Sequence, residues 1–527
     1  MITLSLPLPL EEVSSTRIRD DIDKDLDISA MVDPIVQAYI YEYGLYLRSP
    51  ILKHVLTPQD LYFSHEASAS VPPQWHDHRC VVLRSRKKRT ALGWVCGHSV
   101  TIAGLFDALH DVELCSAVRR RTSGKLLLVD AAASGMPQEH LRMLLNELLV
   151  RSLSDDHTYA LCRCAQDAPQ WEQALRQLGF VPIENDLYYV DMRSPMVLIE
   201  DLLLGIKAPH RDAVEVKQAI ARSRPRLRQA LTALYPGKLL LCFDAELLNQ
   251  ALMYRVQKHN HVLRCPDRKT LGEYMCVPYG KVLSGEVVPN TVTKTLHADK
   301  SFAPDGSSFA VVEYPGYSPL PTQVRTLKSF RRPVILVDDL LHKGYRIGKL
   351  NPLFEQEGLE ICRIIVGILS GRGRDLAKDR RRAVDCEYFI PNLHYWATES
   401  LLYPFIGGDS VSDRRNPGRM LVSANLILPY IYPRHFIDAD PNAVRALSRT
   451  ALENDLAVLR ALESAHQRLF STALTLRRLG EALERPRLPD RGKSLQYDFS
   501  IPASTYLEDD LLMLDRTRSE GGLIHGV

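Results

Sequence analysis

One stretch limits this chain more than any other: Pro333-Val-Ile-Leu-Val-Asp-Asp-Leu-Leu-His-Lys-Gly-Tyr-Arg346. Four apolar residues in a row suit a strand buried on both faces. Two adjacent acids, Asp338 and Asp339, are expected at its C-terminal end. Gly344 then opens a loop into a helix carrying Ile347, Leu350 and Phe354 at helical spacing. Strand, loop and helix in this order imply a parallel sheet covered by helices. Short apolar runs at 238–243, 310–313, 362–369 and 386–390 repeat the theme, so residues 236–435 are expected to form an α/β domain.

Ligands of open α/β sheets bind at the carboxyl ends of the strands. The loop Leu340, Leu341, His342, Lys343, Gly344, Tyr345, Arg346 turns backbone N–H groups toward a helix start, which makes an anion site. Adjacent carboxylates can grip a diol. An anion site beside a diol grip describes a ribose-phosphate pocket. The motif resembles the PRPP-binding signature of type I phosphoribosyltransferases: an apolar strand, two acids, three residues, Thr-Gly, one residue, Thr. The resemblance covers about residues 236–392. It implies that Asp338 and Asp339 hold the ribose hydroxyls, and through the ribose Mg²⁺, while the loop cradles the 5-phosphate. Lys343 and Arg346 stand where the family has threonines. Cations there would hold phosphate in place of hydroxyls, or mark a different phosphate ligand or an inactive relative.

The segment 290–302 resembles the mobile catalytic loop of orotate-type members, with Lys294, His297 and Lys300 as candidates for departing pyrophosphate. Its plain alternative is an exposed polar hairpin. The run 238–243 and the helix expected at 245–259 match the family's pyrophosphate-holding element, though Asp244-Ala245 replaces the usual small-residue loop. Aromatic turns at 313–317 and 403–409 could stack on an acceptor base or be turns only. The run Leu369-Ser-Gly-Arg-Gly-Arg-Asp375 reads as a second anion loop or a solvated helix.

Residues 76–195 read as an α+β domain. A hairpin is expected from 79–84 and 90–96, then a strand at 125–130, a helix at 138–153, a strand at 159–164, a helix at 170–178 and a strand at 186–191. The order, and the ending Trp171-Glu-Gln-Ala-Leu-Arg-Gln-Leu-Gly-Phe180-Val-Pro-Ile, resemble a GNAT-type acyltransferase. That resemblance implies acetyl-CoA as cofactor. At the family's pyrophosphate loop, Ala131-Ala-Ala-Ser-Gly-Met-Pro-Gln138 keeps only Gly135, and Pro137 removes an N–H. Either acyl-CoA binding is lost or the fold is a scaffold.

The fold class expected is therefore α/β and multidomain: a GNAT-like α+β domain, a phosphoribosyltransferase-like parallel-sheet domain and a helical C-terminal region. Residues 1–75 form an N-terminal helical segment (a helix at 28–47), 196–235 a basic helical linker or hood, and 436–527 a long amphipathic helix at 440–485 with an irregular tail after Pro486. The linker's Arg222, Arg224, Arg226 and Arg228 are a candidate nucleic-acid contact.

Across all 527 residues the net charge is only +3, so no overall nucleic-acid or membrane field is implied. No apolar run reaches the roughly 20 residues of a membrane span. The first residues lack the basic start of a secretion signal, so a cytoplasmic protein is expected. The 10 cysteines sit mostly in apolar runs and read as buried free thiols. His76 and His78 straddle Asp77 and read as a surface turn. The function expected is phosphoribosyl transfer from PRPP and Mg²⁺ to a nitrogenous acceptor. A non-catalytic phosphoribosyl or nucleotide sensor, or a nucleotide or nucleoside phosphorylase or hydrolase, would use the same pocket. An oligomer is compatible with any of these.

Overall fold

The computed structural model describes residues 13–23, 26, 28, 31–42, 45, 56–65, 70–164, 169–184, 186–262, 271–283, 285–412, 421–430, 436, 438–490 and 497–519. The reading of the first residues as no secretion signal falls on 1–12, outside them. The fold is mixed α/β, with several sheets, and the chain divides into two compact units.

The first unit comprises residues 59–247, 388–409 and 420–527. Its sheet contains β1 (Leu61–Ser64), β2 (Arg79–Ser85), β3 (Thr90–Thr101), β4 (Lys125–Ala132), β5 (His157–Arg163), β6 (Val181–Glu184), β7 (Leu187–Glu200) and β8 (Lys238–Asp244). Strands β1 to β4 run antiparallel in sequence order. β5 lies parallel to β4, which requires a crossover, and the helix Gln138–Ser152 provides it. Leu141, Leu144, Leu145, Leu148 and Leu149 bury that helix on the sheet. β7 then pairs with β5 and β6 along its first half and with β8 and the strand Tyr395–Thr398 along its second. The hairpin and the alternation expected for 76–195 are all present.

Four expectations in this unit differ from the structure. Residues 196–235 are not a linker: β7 runs through Glu200, and the helix Val214–Leu234 buries Val216, Ile220, Leu227 and Leu231 in an apolar core. That core also takes Leu447, Leu452, Val458 and Leu459 from the helix Pro441–Phe470. Among the described residues the tail after Pro486 contains regular elements, a strand at Arg487–Pro489 and a helix at Ala503–Ser519 that buries Ala503 and Leu507 in the same core. The run 238–243 joins β7 rather than the parallel sheet, because its register follows Met196 to Glu200. Cys80 and Cys96 are not free thiols; they oppose each other across β2 and β3 and are joined as a disulfide.

The second unit comprises residues 1–58, 248–387 and 410–419. Its parallel sheet is built from β9 (Met275–Pro278), β10 (Val292–Thr293), β11 (Val334–Leu341) and β12 (Ile361–Ser370), with β11 between β9 and β12 and a fifth strand, Val384–Ile390, beside β12. Every residue of β11 is buried, as expected of a strand covered on both faces. The helices Leu320–Ser329, Tyr345–Glu357 and Gly371–Asp379 follow or precede these strands. The segment 290–302 passes from β10 into the strand Ala298–Phe302, which forms an antiparallel hairpin with Phe309–Glu313. The helix expected at 28–47 is shorter, Pro34–Glu42, because Pro34 sits at its first position, where the missing N–H costs least.

Candidate functional site

Asp338 and Asp339 lie inside β11, not at its end. Pairing with β12 continues through Leu340↔Ile368 and Leu341↔Leu369, so the strand outlasts the acids. Both are buried, at 6% and 8% exposure. A buried carboxylate needs partners, and the turn after β9 supplies them. The backbone N–H groups of Lys281 and Val282 donate to the two oxygens of Asp339, each at 2.8 Å. Gly280 passes so close that a Cβ there would lie 2.5 Å from Asp338 Oδ1 and 2.6 Å from Asp339 Oδ1. Arg346 reaches back from the first turn of the helix Tyr345–Glu357. Its Nη1 donates to Asp338 Oδ1 at 3.1 Å and to the Tyr279 carbonyl at 2.9 Å. Asp338 Oδ1 also accepts the Asp339 N–H at 2.9 Å.

Burial, then the charge of Asp338, pushes the Asp339 carboxyl up to about 6, against the pull of the two N–H groups and Arg346. Burial opposes the charge of Arg346, but Asp338 and then Asp339 hold the guanidinium firmly protonated. The Tyr279 hydroxyl is pushed far up, by burial first and Asp338 second. The result is a buried acid pair, one arginine and a backbone lid made by residues 279–282.

The strand ends beyond the acids form a second layer. His342 is buried, and its Nδ1 shares a 2.9 Å hydrogen bond with Ser370 Oγ at the end of β12. Ser370 also caps the helix Gly371–Asp379 by accepting the Gly373 N–H at 3.0 Å. Burial, then Lys343 and Arg372, depresses His342 to about 4, so the ring is neutral at pH 7. Gly344 adopts φ 65° and caps the helix Tyr345–Glu357; a Cβ on it would lie 1.9 Å from Leu376 Cδ2. A Cβ on Gly373 would lie 2.3 Å from the Leu341 carbonyl oxygen. The first thus lets Leu376 of the helix Gly371–Asp379 pack against the start of the helix Tyr345–Glu357, and the second seats the start of Gly371–Asp379 against the end of β11. Lys343, Tyr345, Arg372 and Arg374 are exposed there, while Leu340 and Leu341 point into the protein.

Of the candidates from segment 290–302, Lys300 lies nearest the loop, by the Phe309 ring whose centre is 6.3 Å from that of Tyr345. Lys294 is 3% exposed and donates from Nζ to the Ile22 carbonyl at 3.3 Å. His297 stacks on Tyr317 with ring centroids 4.1 Å apart. Lys300 sits in the hairpin strand with Nζ 5.6 Å from the centre of the Phe309 ring.

The arginine cluster is also committed internally. Arg228, 1% exposed, binds Glu200 through Nε at 2.6 Å and Nη2 at 2.9 Å, and Glu139 through Nη1 at 2.8 Å. Arg224 reaches Glu399 at 3.1 Å and Asp244 at 3.4 Å, Arg226 pairs with Glu453, and Arg222 donates to the Gln218 carbonyl at 3.3 Å. Burial opposes the charge on Glu200, but Arg228 and Arg224 hold its carboxyl well below the usual range. Burial lifts Glu399 to about 7 despite Arg224. Spacing on one helix revealed the arginines; their acidic partners come from five other places in the chain, which no local pattern connects.

No family model matches this chain, and no curated protein matches it. Among solved structures, "Structure of AQ2163 protein from Aquifex aeolicus" shares 15% identity, covering 38% of this chain and 88% of that one at a TM-score of 0.19, so function is read from the residues themselves.

Proposed function

We propose that the parallel-sheet unit binds a phosphorylated ribose compound of the PRPP type, with Mg²⁺ accompanying it, at the ends of β11 and β12. The observation that carries this reading is the strand bearing Asp338 and Asp339 that runs into a glycine-capped helix, beside a second parallel strand running into a serine-capped one. The phosphate takes helix-start N–H groups, with Lys343 and Arg372 exposed beside them. Ribose hydroxyls take Asp338 in exchange for the hydrogen bond of Arg346, and Asp339 stays as the brace that holds the 279–282 turn.

Transfer to a nitrogenous acceptor would need cations on the departing pyrophosphate. Lys294 is buried on the Ile22 carbonyl instead. That position favours a second reading, in which the unit senses the phosphoribosyl compound without transferring it. The nine-stranded sheet suits an acyltransferase-like scaffold, supported by the parallel β4–β5 pair with Gln138–Ser152 between them. Pro137 is the N-cap of that helix and offers no N–H, so acetyl-CoA is not assigned to it.

Calorimetric titration with PRPP and Mg²⁺ tests binding. Heat in the wild type, lost in Asp338→Asn with Asp339→Asn while circular dichroism is unchanged, supports the site. No heat in the wild type sinks it. Pyrophosphate release with a panel of acceptor bases then separates transfer from sensing.

A further inference from the structure

The hairpin β2–β3 carries a symmetrical pattern, His78-Arg-Cys80 on one side and Cys96-Gly-His98 on the other. Its register pairs Cys80 with Cys96 and Arg79 with Gly97, which sets His78 opposite His98. Side chains alternate along strands, so each histidine lies on the face of its neighbouring cysteine. The disulfide between those cysteines fastens the two histidines side by side.

A third group comes from β4. Cys96 pairs with Ala131 but Gly97 with Val129, so Asp130 is the extra residue of a β-bulge. Bulges re-aim side chains, and this one turns the Asp130 carboxylate onto both imidazoles. His78 Nδ1 lies 2.6 Å from Asp130 Oδ2, and His98 Nδ1 lies 2.8 Å from the same oxygen and 2.9 Å from Oδ1. The three ligand atoms fall within 4.8 Å of one another. The imidazole rings are tilted by 60° at 4.9 Å, so they converge on the carboxylate rather than stack. His76, two residues away, is bound to the Val71 carbonyl at 2.9 Å and takes no part.

We propose that His78, His98 and Asp130 bind a divalent transition-metal ion of the Zn²⁺ class. Two imidazole nitrogens and one carboxylate oxygen are the donor set of open three-ligand sites, which leave a coordination position for water or a substrate. At metal–ligand bonds of roughly 2.0–2.1 Å the donors stand about 3.3 Å apart. The present spacing reaches that by small rotations of side chains at the surface. The Asp130 side chain is 7% exposed, while His78 and His98 are 24% and 36% exposed, so an ion has access from solvent. A dication also neutralises the carboxylate that the two imidazoles hold.

The test uses the full chain, stripped with a chelator and dialysed. Zn²⁺ is titrated in competition with a chromophoric chelator, and Co²⁺ is followed by its visible absorption and by quenching of Trp75, whose ring lies 5.1 Å from that of His78. One equivalent should bind, at least tenfold more weakly in His98→Ala and in Asp130→Asn, and unchanged in His76→Ala. Circular dichroism of the metal-free variants separates lost binding from lost folding, and His78→Gln provides a second variant if either unfolds. No stoichiometric binding in the wild type, or equal binding in folded His98→Ala and Asp130→Asn, overturns the site. The cluster is then a carboxylate holding two histidines by hydrogen bonds alone.

Discussion

At the scale of single residues, the acid pair shows how burial redirects a motif. Asp338 and Asp339 are recognisable in the sequence because two acids after four β-formers are unusual. Nothing local announces that Arg346 folds back on one of them, or that the 280–282 turn closes over the other. The elevated Asp339 carboxyl has a measurable consequence. An acid whose folded pKa is raised to about 6 binds its proton more tightly than the unfolded chain does. Its contribution to stability is fully present below the unfolded value near 4 and is lost as pH rises through about 6. Asp339→Asn removes that term. Denaturant unfolding between about pH 4 and 7 should therefore show the variant gaining stability relative to wild type as pH rises, by about 1–3 kcal/mol for a shift of this size. A difference that does not change with pH would mean that the Asp339 carboxyl is not raised above its unfolded value.

At the scale of elements, the helix Val214–Leu234 is the instructive case. Its basic residues are legible in sequence and suggest a solvated or nucleic-acid-binding surface. Its apolar positions Val216, Ile220, Leu227 and Leu231 carry the opposite message, and the structure follows them. Arg228 is then drawn into the interior, where Glu200 and Glu139 neutralise it. Removing one partner of a buried ion pair leaves the other charge stranded. Arg228→Ala is expected to cost about 3–5 kcal/mol in denaturant unfolding, and the exposed Arg222→Ala under about 0.5 kcal/mol. Comparable losses for the two would show that the Glu200 charge is relieved some other way.

For the molecule as a whole, the parallel-sheet unit is assembled from three separate stretches of chain. Ile22, Ile28 and Ile40 form a small core in the N-terminal stretch. The Ile22 carbonyl accepts from Lys294, the Leu26 carbonyl accepts from Ser318 Oγ at 2.8 Å, and Leu26 bridges to Tyr317. The strand Ala298–Phe302 pairs with Ser410 and Val411 from the third stretch. A fragment of residues 236–435 lacks the first of these stretches. Its parallel-sheet unit should melt below the same unit in the intact chain, and adding residues 1–58 in trans should raise the transition. Identical melting of fragment and intact unit would show that the N-terminal stretch adds no stability.

The sequence by itself determined what depends on near neighbours. Alternation and helical spacing located the β2–β3 hairpin, β4, the helix Gln138–Ser152, the buried strand β11 and the helix that follows it, because each rests on contacts within a few residues. They also singled out Asp338, Asp339 and Gly344. Only the tertiary structure decided which sheet the run 238–243 joins, where Lys294 is buried and which acids receive Arg224 and Arg228. It also gathered His78, His98 and Asp130 from positions up to 52 residues apart. The physical reason is common to all of these. A side chain's charge and hydrogen-bonding capacity are written at its own position, but its partners are chosen by register and packing between segments distant in the chain, and local periodicity carries no record of that choice.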